Sequence, residues 1–372
     1  MGYKNFLPNK LKIHLPLWSV LFPVLAVLTL LLKGDFTESP YFQAFLGAIL
    51  ISAVLSAVHH AEVIAHKVGE PFGTIILALA ITVIEVSLIV SLMISEGNDQ
   101  PSALARDTVF AAIMIILTGI IGICLWSGGY RYKQQGFRQE GVSAALITLI
   151  SISVLTLVLP NYTTSEAGNI YSDSQLIFVA IISLILYSGF ISMQTIRHRD
   201  FFLPGKEEGD EVEEVHATPP TLLTAIVSLL LLISALVAVV LLSKKLSPVI
   251  EGIVVDLGAP KSLVGIIIAG VILLPEGMAA LRAASKNRLQ TSLNLALGSA
   301  LASIGLTIPA VAIVCYFTGM TVTLGIDAKS TLLLILSLFT VYSSLHAGKT
   351  NILQGIVLLV IFATYLFTTI VP

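Results

Sequence analysis

The chain reads as an all-α polytopic membrane protein of about eleven transmembrane helices, with one extra N-terminal helix ahead of two inverted-topology sets of five. Three observations predict this. Of 372 residues, 56% are hydrophobic and only 11% charged, whereas a soluble domain is about a quarter charged. The mean hydropathy is +0.95. Apolar runs of about 20 residues, enough to cross a ~30 Å hydrocarbon core, recur from one end to the other. Lysine and arginine are also distributed unevenly between the loops.

Taken in order, the first run is 16–33. It follows Lys4, Lys10 and Lys12 with no small-residue cleavage site behind it, so it reads as a retained span within an N-terminal segment, 1–40. Runs at 42–67, 71–95, 107–128, 141–160 and 174–196 make the first set, in a repeat spanning 41–196. Runs at 219–257, 259–282, 290–318, 329–346 and 350–371 make the second, spanning 219–372. The 219–257 run contains Lys244, Lys245 and Pro248 but reads as one long helix, because its end aligns with the end of 42–67. Between the sets, 197–218 carries Lys206-Glu207-Glu208-Gly209-Asp210-Glu211-Val212-Glu213-Glu214 between prolines. It reads as an acidic cytoplasmic linker, a solvated tether in preference to a weak divalent-cation sensor. Cys124 and Cys315 both lie in apolar runs, so no disulfide framework is expected.

With the N-terminus in the cytoplasm, fourteen Lys and Arg fall on the cytoplasmic side, including Arg131, Lys133, Arg138, Arg282 and Lys349, against six on the other. Five spans followed by five of opposite orientation is the inverted-repeat plan of secondary transporters.

Two acids interrupt the apolar pattern. Glu85 closes a run from Ile75, and Glu276 a run from Val264; each follows the same upstream phrase, Glu62-(x6)-Gly69-x-Pro71 and Glu251-(x6)-Gly258-x-Pro260. An acid inside hydrocarbon costs roughly 2.5–3.5 kcal/mol on the gentlest insertion scale and marks function by default. The competing reading, a permanently protonated structural acid, would have to occur twice at matched places. At helical spacing the Glu85 face carries Thr74, Ala78 and Thr82, and the Glu276 face Gly265, Ala269 and Ala280. Pro275 removes a backbone donor beside Glu276. The next helix adds a stripe of Ser292, Ala296, Ser299, Ser303 and Thr307, with Asn294 off it. Such hydroxyls serve packing as readily as an ion. Carboxylates with hydroxyls and carbonyls form a hard oxygen site suited to Na⁺, Ca²⁺ or H⁺.

The repeated acidic motifs, Thr82-Val83-Ile84-Glu85 and Leu273-Leu274-Pro275-Glu276, with His60-Ala61-Glu62, His66 to Pro71, Arg106-Asp107-Thr108 and Gly298-Ser299, resemble the two alpha-repeats of the Ca²⁺/cation antiporter superfamily. The whole chain is similar to its ChaA-type calcium/proton and sodium/proton antiporters. That resemblance implies ten core helices in two inverted halves plus an extra first helix. It also implies that Glu85 and Glu276 bind the cation and the proton in turn, and that Ca²⁺, Na⁺ or K⁺ and protons are cargo, with no cofactor. Thr82, Ser299 and Ser303 complete the expected cation and proton site. The chain departs from the pattern at Leu273, where a polar residue is usual, and at Met114 and Ala302, where relatives place Asn or Gln. Fewer ligands imply looser selectivity.

Other readings are weaker. His59, Glu62 and His66 share a helical face and would make an alternative Zn²⁺ transport or intramembrane metalloprotein site, although the spacing is not His-Glu-x-x-His. A gating or pH-sensing role for His59, His66, Glu62 and Glu251 fits better. No selectivity filter or nucleotide-binding loop is visible, which argues against a channel or an ATP-driven pump, and nothing suggests an enzyme or nucleic-acid binding. Arg106-Asp107 reads as helix N-terminal charge, and Asn161-Tyr162-Thr163 as a glycosylation sequon. The expected location is the bacterial inner (plasma) membrane.

Overall fold

The computed structural model describes residues 15–32, 39–69, 72–96, 101–203, 220–256, 260 and 262–371. Glu70, Pro71 and Gly258 of the repeated phrases and the acidic run 206–214 lie outside these residues. The helices are α1 (Leu17–Leu31), α2 (Pro40–Val68), α3 (Phe72–Glu96), α4 (Leu104–Met114), α5 (Ile121–Tyr132), α6 (Gln139–Ser153), α7 (Asp173–Ser192), α8 (Leu222–Asp256), α9 (Ser262–Ala284), α10 (Leu289–Thr318), α11 (Ala328–Leu345) and α12 (Ile352–Ile370). A π-helical stretch, Ile115–Ile120, joins α4 and α5 into one span. Among the described residues, nine spans are long and apolar enough to cross a membrane, and Leu17–Leu31 and Leu79–Ile94 are shorter apolar stretches. Each of the eleven apolar runs read from the sequence is helical, with ends displaced by up to four residues, and nine of them have the length and apolarity of a span. The protein is a multi-pass, all-helical membrane protein.

The chain divides into two compact units that cut across the two sequence sets: Met1–Ile84 with Val212–Val249, and Glu85–Glu211 with Ile250–Pro372. In the first, α1 packs on α2. Pro23 sits inside α1 and has no N–H, so the Ser19 carbonyl four residues back has no helical donor. Ser56 Oγ (2.7 Å) and His60 Nε2 (2.8 Å), both from α2, bond to that oxygen. Trp18 lies against His59, ring centroids 5.1 Å apart. Helix α8 continues through Pro248, as one helix and not two. Lys245 has a partner within the unit, its ammonium lying 5.6 Å from the centre of the Phe42 ring.

The second unit has two recognisable ends. At one, Ser102 pairs with Val322, Arg106 donates to the Gly325 carbonyl (3.2 Å), and Asn161 Nδ2 donates to the Ile326 carbonyl (2.6 Å). At the other, strands β1 (Gln134–Gly136) and β2 (Lys349–Asn351) pair antiparallel, with Gln135 opposite Thr350. Three-residue polar strands carry too little alternation to be read from sequence. The turn after α9 is clamped at the strand end. Gln135 Nε2 donates to the Ala284 carbonyl and to Asn287 Oδ1, both at 3.0 Å, and Arg131 and Tyr132 donate to the Ser285 carbonyl, both at 3.2 Å. Part of what reads as linker is folded: Arg199–Phe202 is a 3₁₀ turn, with Phe202 buried and its carbonyl accepting from Asn294 Nδ2 at 2.6 Å.

Glycine permits the tightest helix contact in this unit. A Cβ on Gly355 of α12 would lie 2.3 Å from the Trp126 backbone nitrogen, and one on Gly129 of α5 would lie 2.5 Å from the Ile352 nitrogen. Helices α5 and α12 meet backbone to backbone at these positions.

Candidate cation site

Glu85 lies mid-helix in α3, between Ile84 and Leu88, and is 3% exposed. Its Oε1 accepts a 2.6 Å hydrogen bond from Ser303 Oγ on α10, across 218 residues of sequence. That length lies at the short end of the range for O–H···O bonds. Thr307, one turn beyond Ser303 on the same helix, is fully buried. Thr82, one turn before Glu85, is also buried. The structure therefore joins the acid of the first sequence set to the hydroxyl stripe of the second.

Glu276 sits on α9, which packs against α10, and both its carboxyl oxygens are buried. Pro275 is accommodated inside the continuous helix, leaving the Val271 carbonyl without its usual donor. The small residues on this face serve packing. A Cβ on Gly265 would lie 3.1 Å from the Thr108 backbone nitrogen, one on Gly277 would lie 3.1 Å from Ile120 Cδ1, and Ala280 packs on Cys124. They draw α9 against α4, the π stretch and α5.

The remaining stripe residues differ in use. Ser299 is half-buried, one turn before Ser303, and Ser292 is buried near Cys124. Thr118 donates to the Met114 carbonyl at 2.5 Å, and Met114 Sδ accepts from Ser337 Oγ at 3.5 Å. Both cysteines are free and buried.

Among the described residues no three His, Cys, Asp or Glu gather where they could hold a metal. His59 is half-buried against Trp18, while Glu62 and His66 are exposed, and the Glu251 side chain lies outside the described ones. Spacing on α2 selected His59 and passed over His60, the fully buried member that bonds to α1; Pro23 was the available signal. Asn161 of the sequon donates its amide to the Ile326 carbonyl. Arg106 Nε donates to Asp107 Oδ1 at 2.7 Å, so these two form an ion pair. They line a cleft of about 190 Å³ with Asp327, Lys329 and Tyr365, away from both glutamates. Its other charges are also used: Asp327 caps the Ser330 N–H (3.1 Å) and Lys329 donates to the Thr368 carbonyl (2.7 Å).

Comparison with known proteins agrees with this architecture. The chain is 44% identical over 366 residues to the y4hA protein of Sinorhizobium fredii, covering 96% of this chain and 97% of that one. It is 35% identical over 353 residues to the sodium-potassium/proton antiporter ChaA of Escherichia coli, covering 94% and 95%. Its fold is similar to those of the Ca²⁺/H⁺ antiporter protein YfkE (TM-score 0.69, 16% identity, 95% and 98% covered) and the H⁺/Ca²⁺ exchanger CAX (0.69, 15%, 94% and 86%). Transporters and no enzymes are named among these relatives. Residues 39–196 and 227–371 match the sodium/calcium exchanger protein model, one segment in each sequence set, and the chain belongs to that family within the Ca²⁺/cation antiporter superfamily.

Proposed function

We propose that this chain is a secondary active antiporter that exports Ca²⁺ in exchange for protons, with Na⁺ and K⁺ competing, at a site built on Glu85 and Glu276. The observation that carries the reading is the Glu85 carboxyl, 3% exposed in an apolar helix and bonded to Ser303. Burial disfavours the ionised form of a lone carboxyl, so the empty site holds protons. A divalent cation stabilises two ionised carboxylates together and displaces those protons. The site then holds either cation or protons, and exchange follows when helices present it alternately to each side. Thr82, Ser299 and Ser303 add oxygens.

The ion preference draws on two supports. The Escherichia coli relative is named a sodium-potassium/proton antiporter, and the calcium/proton names belong to more distant relatives. Leu273, Met114 and Ala302 supply no hard oxygen from their side chains, which weakens discrimination. The charge bias favours an inner-membrane protein whose N-terminus and strand end face the cytoplasm. Glu85→Gln and Glu276→Gln are each expected to abolish ΔpH-driven Ca²⁺ and Na⁺ uptake into everted vesicles while the protein still accumulates folded. Normal uptake by both variants would overturn the proposal.

A further inference from the structure

A hydroxyl inside a helix has an easy partner in the carbonyl one turn back. Thr118, Thr148, Thr156, Thr195 and Ser337 all take it in this protein, at 2.5–2.9 Å. Thr307 does not. Its Oγ1 is buried without a hydrogen bond of ordinary geometry, although its residue is 0% exposed. Its helix neighbours Ile304, Ile308 and Val311 are equally buried. Valine would fill the same volume without burying a hydroxyl whose bonding capacity goes unused. One turn earlier on α10, on the same face as Thr307, Ser303 bonds to the Glu85 carboxyl.

The Glu85 carboxyl on α3 and two hydroxyls one turn apart on α10 are all hard oxygens. A threonine oxygen carries two lone pairs besides its proton. Its O–H can turn to the carboxylate while the lone pairs face a cation. Ca²⁺ gathers six to eight oxygens and gains from each neutral ligand added beside a fixed charge. Resting on the antiporter reading above, we infer that Thr307 Oγ1 is a further cation ligand of the Glu85 site and sets its preference for Ca²⁺ over Na⁺.

The test is transport in everted vesicles by wild type, Thr307→Val, Thr307→Ser and Glu85→Gln, titrating Ca²⁺ and Na⁺ separately at one alkaline pH. Thr307→Val should raise the half-saturating Ca²⁺ concentration on the order of tenfold, the scale of one bond to a charged group. The Na⁺ value should move less, so that the Ca²⁺-to-Na⁺ preference falls. The loss should lie in half-saturation and not in the maximal rate, and Thr307→Ser should recover most of it. If Thr307→Val does not accumulate, Thr307→Ala takes its place. Unchanged half-saturation and ion preference in the valine or alanine variant would overturn the inference. So would a serine variant as impaired as the valine one, which would assign the effect to packing of the methyl group. If Glu85→Gln transports normally, the antiporter site itself is misassigned; if it is inactive while Thr307→Val matches wild type, only the role of Thr307 fails.

Discussion

Ser303 could donate to the carbonyl of Ser299, one turn back, and donates to Glu85 instead. Removing the hydroxyl takes this bond from the carboxyl. Ser303→Ala should reduce cation affinity on the order of tenfold, as befits one bond to a charged group, measured as half-saturating Ca²⁺ in flux assays. Its helical period picked Ser303 from the sequence; its partner could not be read, because nothing local links positions 218 apart. The histidines show the reverse. Spacing proposed His59 with Glu62 and His66, whereas the polar bond to α1 belongs to His60. Periodicity finds a face, but the identity of the facing helix lies elsewhere in the chain.

For whole elements, apolar length was sufficient to place every helix, because hydrocarbon thickness allows little choice. The π stretches and three-residue strands were invisible, since they follow from how neighbours fit and not from composition. Glycines at close helix contacts are also silent in sequence. Gly355→Ala would drive a methyl group into the Trp126 backbone, 2.3 Å away. We expect it to destabilise the protein by about 1–3 kcal/mol, the usual range for overpacking, seen as a lower melting temperature in detergent. For α1, Pro23→Ala restores an N–H that competes for the Ser19 carbonyl. That variant should weaken the bonds from Ser56 and His60, and protease protection of α1 should fall.

Across the whole molecule, charge bias proposes an orientation and the helix ends supply a way to check it. Tyr162 and Lys349 are exposed at opposite ends of the second unit, and the native cysteines are buried. An impermeant thiol reagent should label Tyr162→Cys in intact cells and Lys349→Cys only after permeabilisation. Labelling of both from outside would contradict the orientation. Coupling has its own signature: if protons and cations exclude each other, acidification should raise the half-saturating cation concentration by up to about tenfold per pH unit for each competing proton. A half-saturation value flat across pH would speak against exchange at shared carboxyls. The family and the repeated acids were legible because an ionisable group in an apolar run stands out; the clamp on the α9–α10 turn was not, being made of ordinary loop residues.

The pairing of β1 with β2 also constrains how the protein is made. Gln134 opposes Asn351, so the corner after α5 cannot be completed until the second partner has left the ribosome. At roughly 5–20 residues per second, that delay is about ten to forty seconds. Through that interval the early helices sit in the bilayer with the ribbon half-built and the Gly355 contact unmade. Biogenesis thus passes through a long-lived, open precursor, the stage at which chaperones and quality-control proteases would meet this chain.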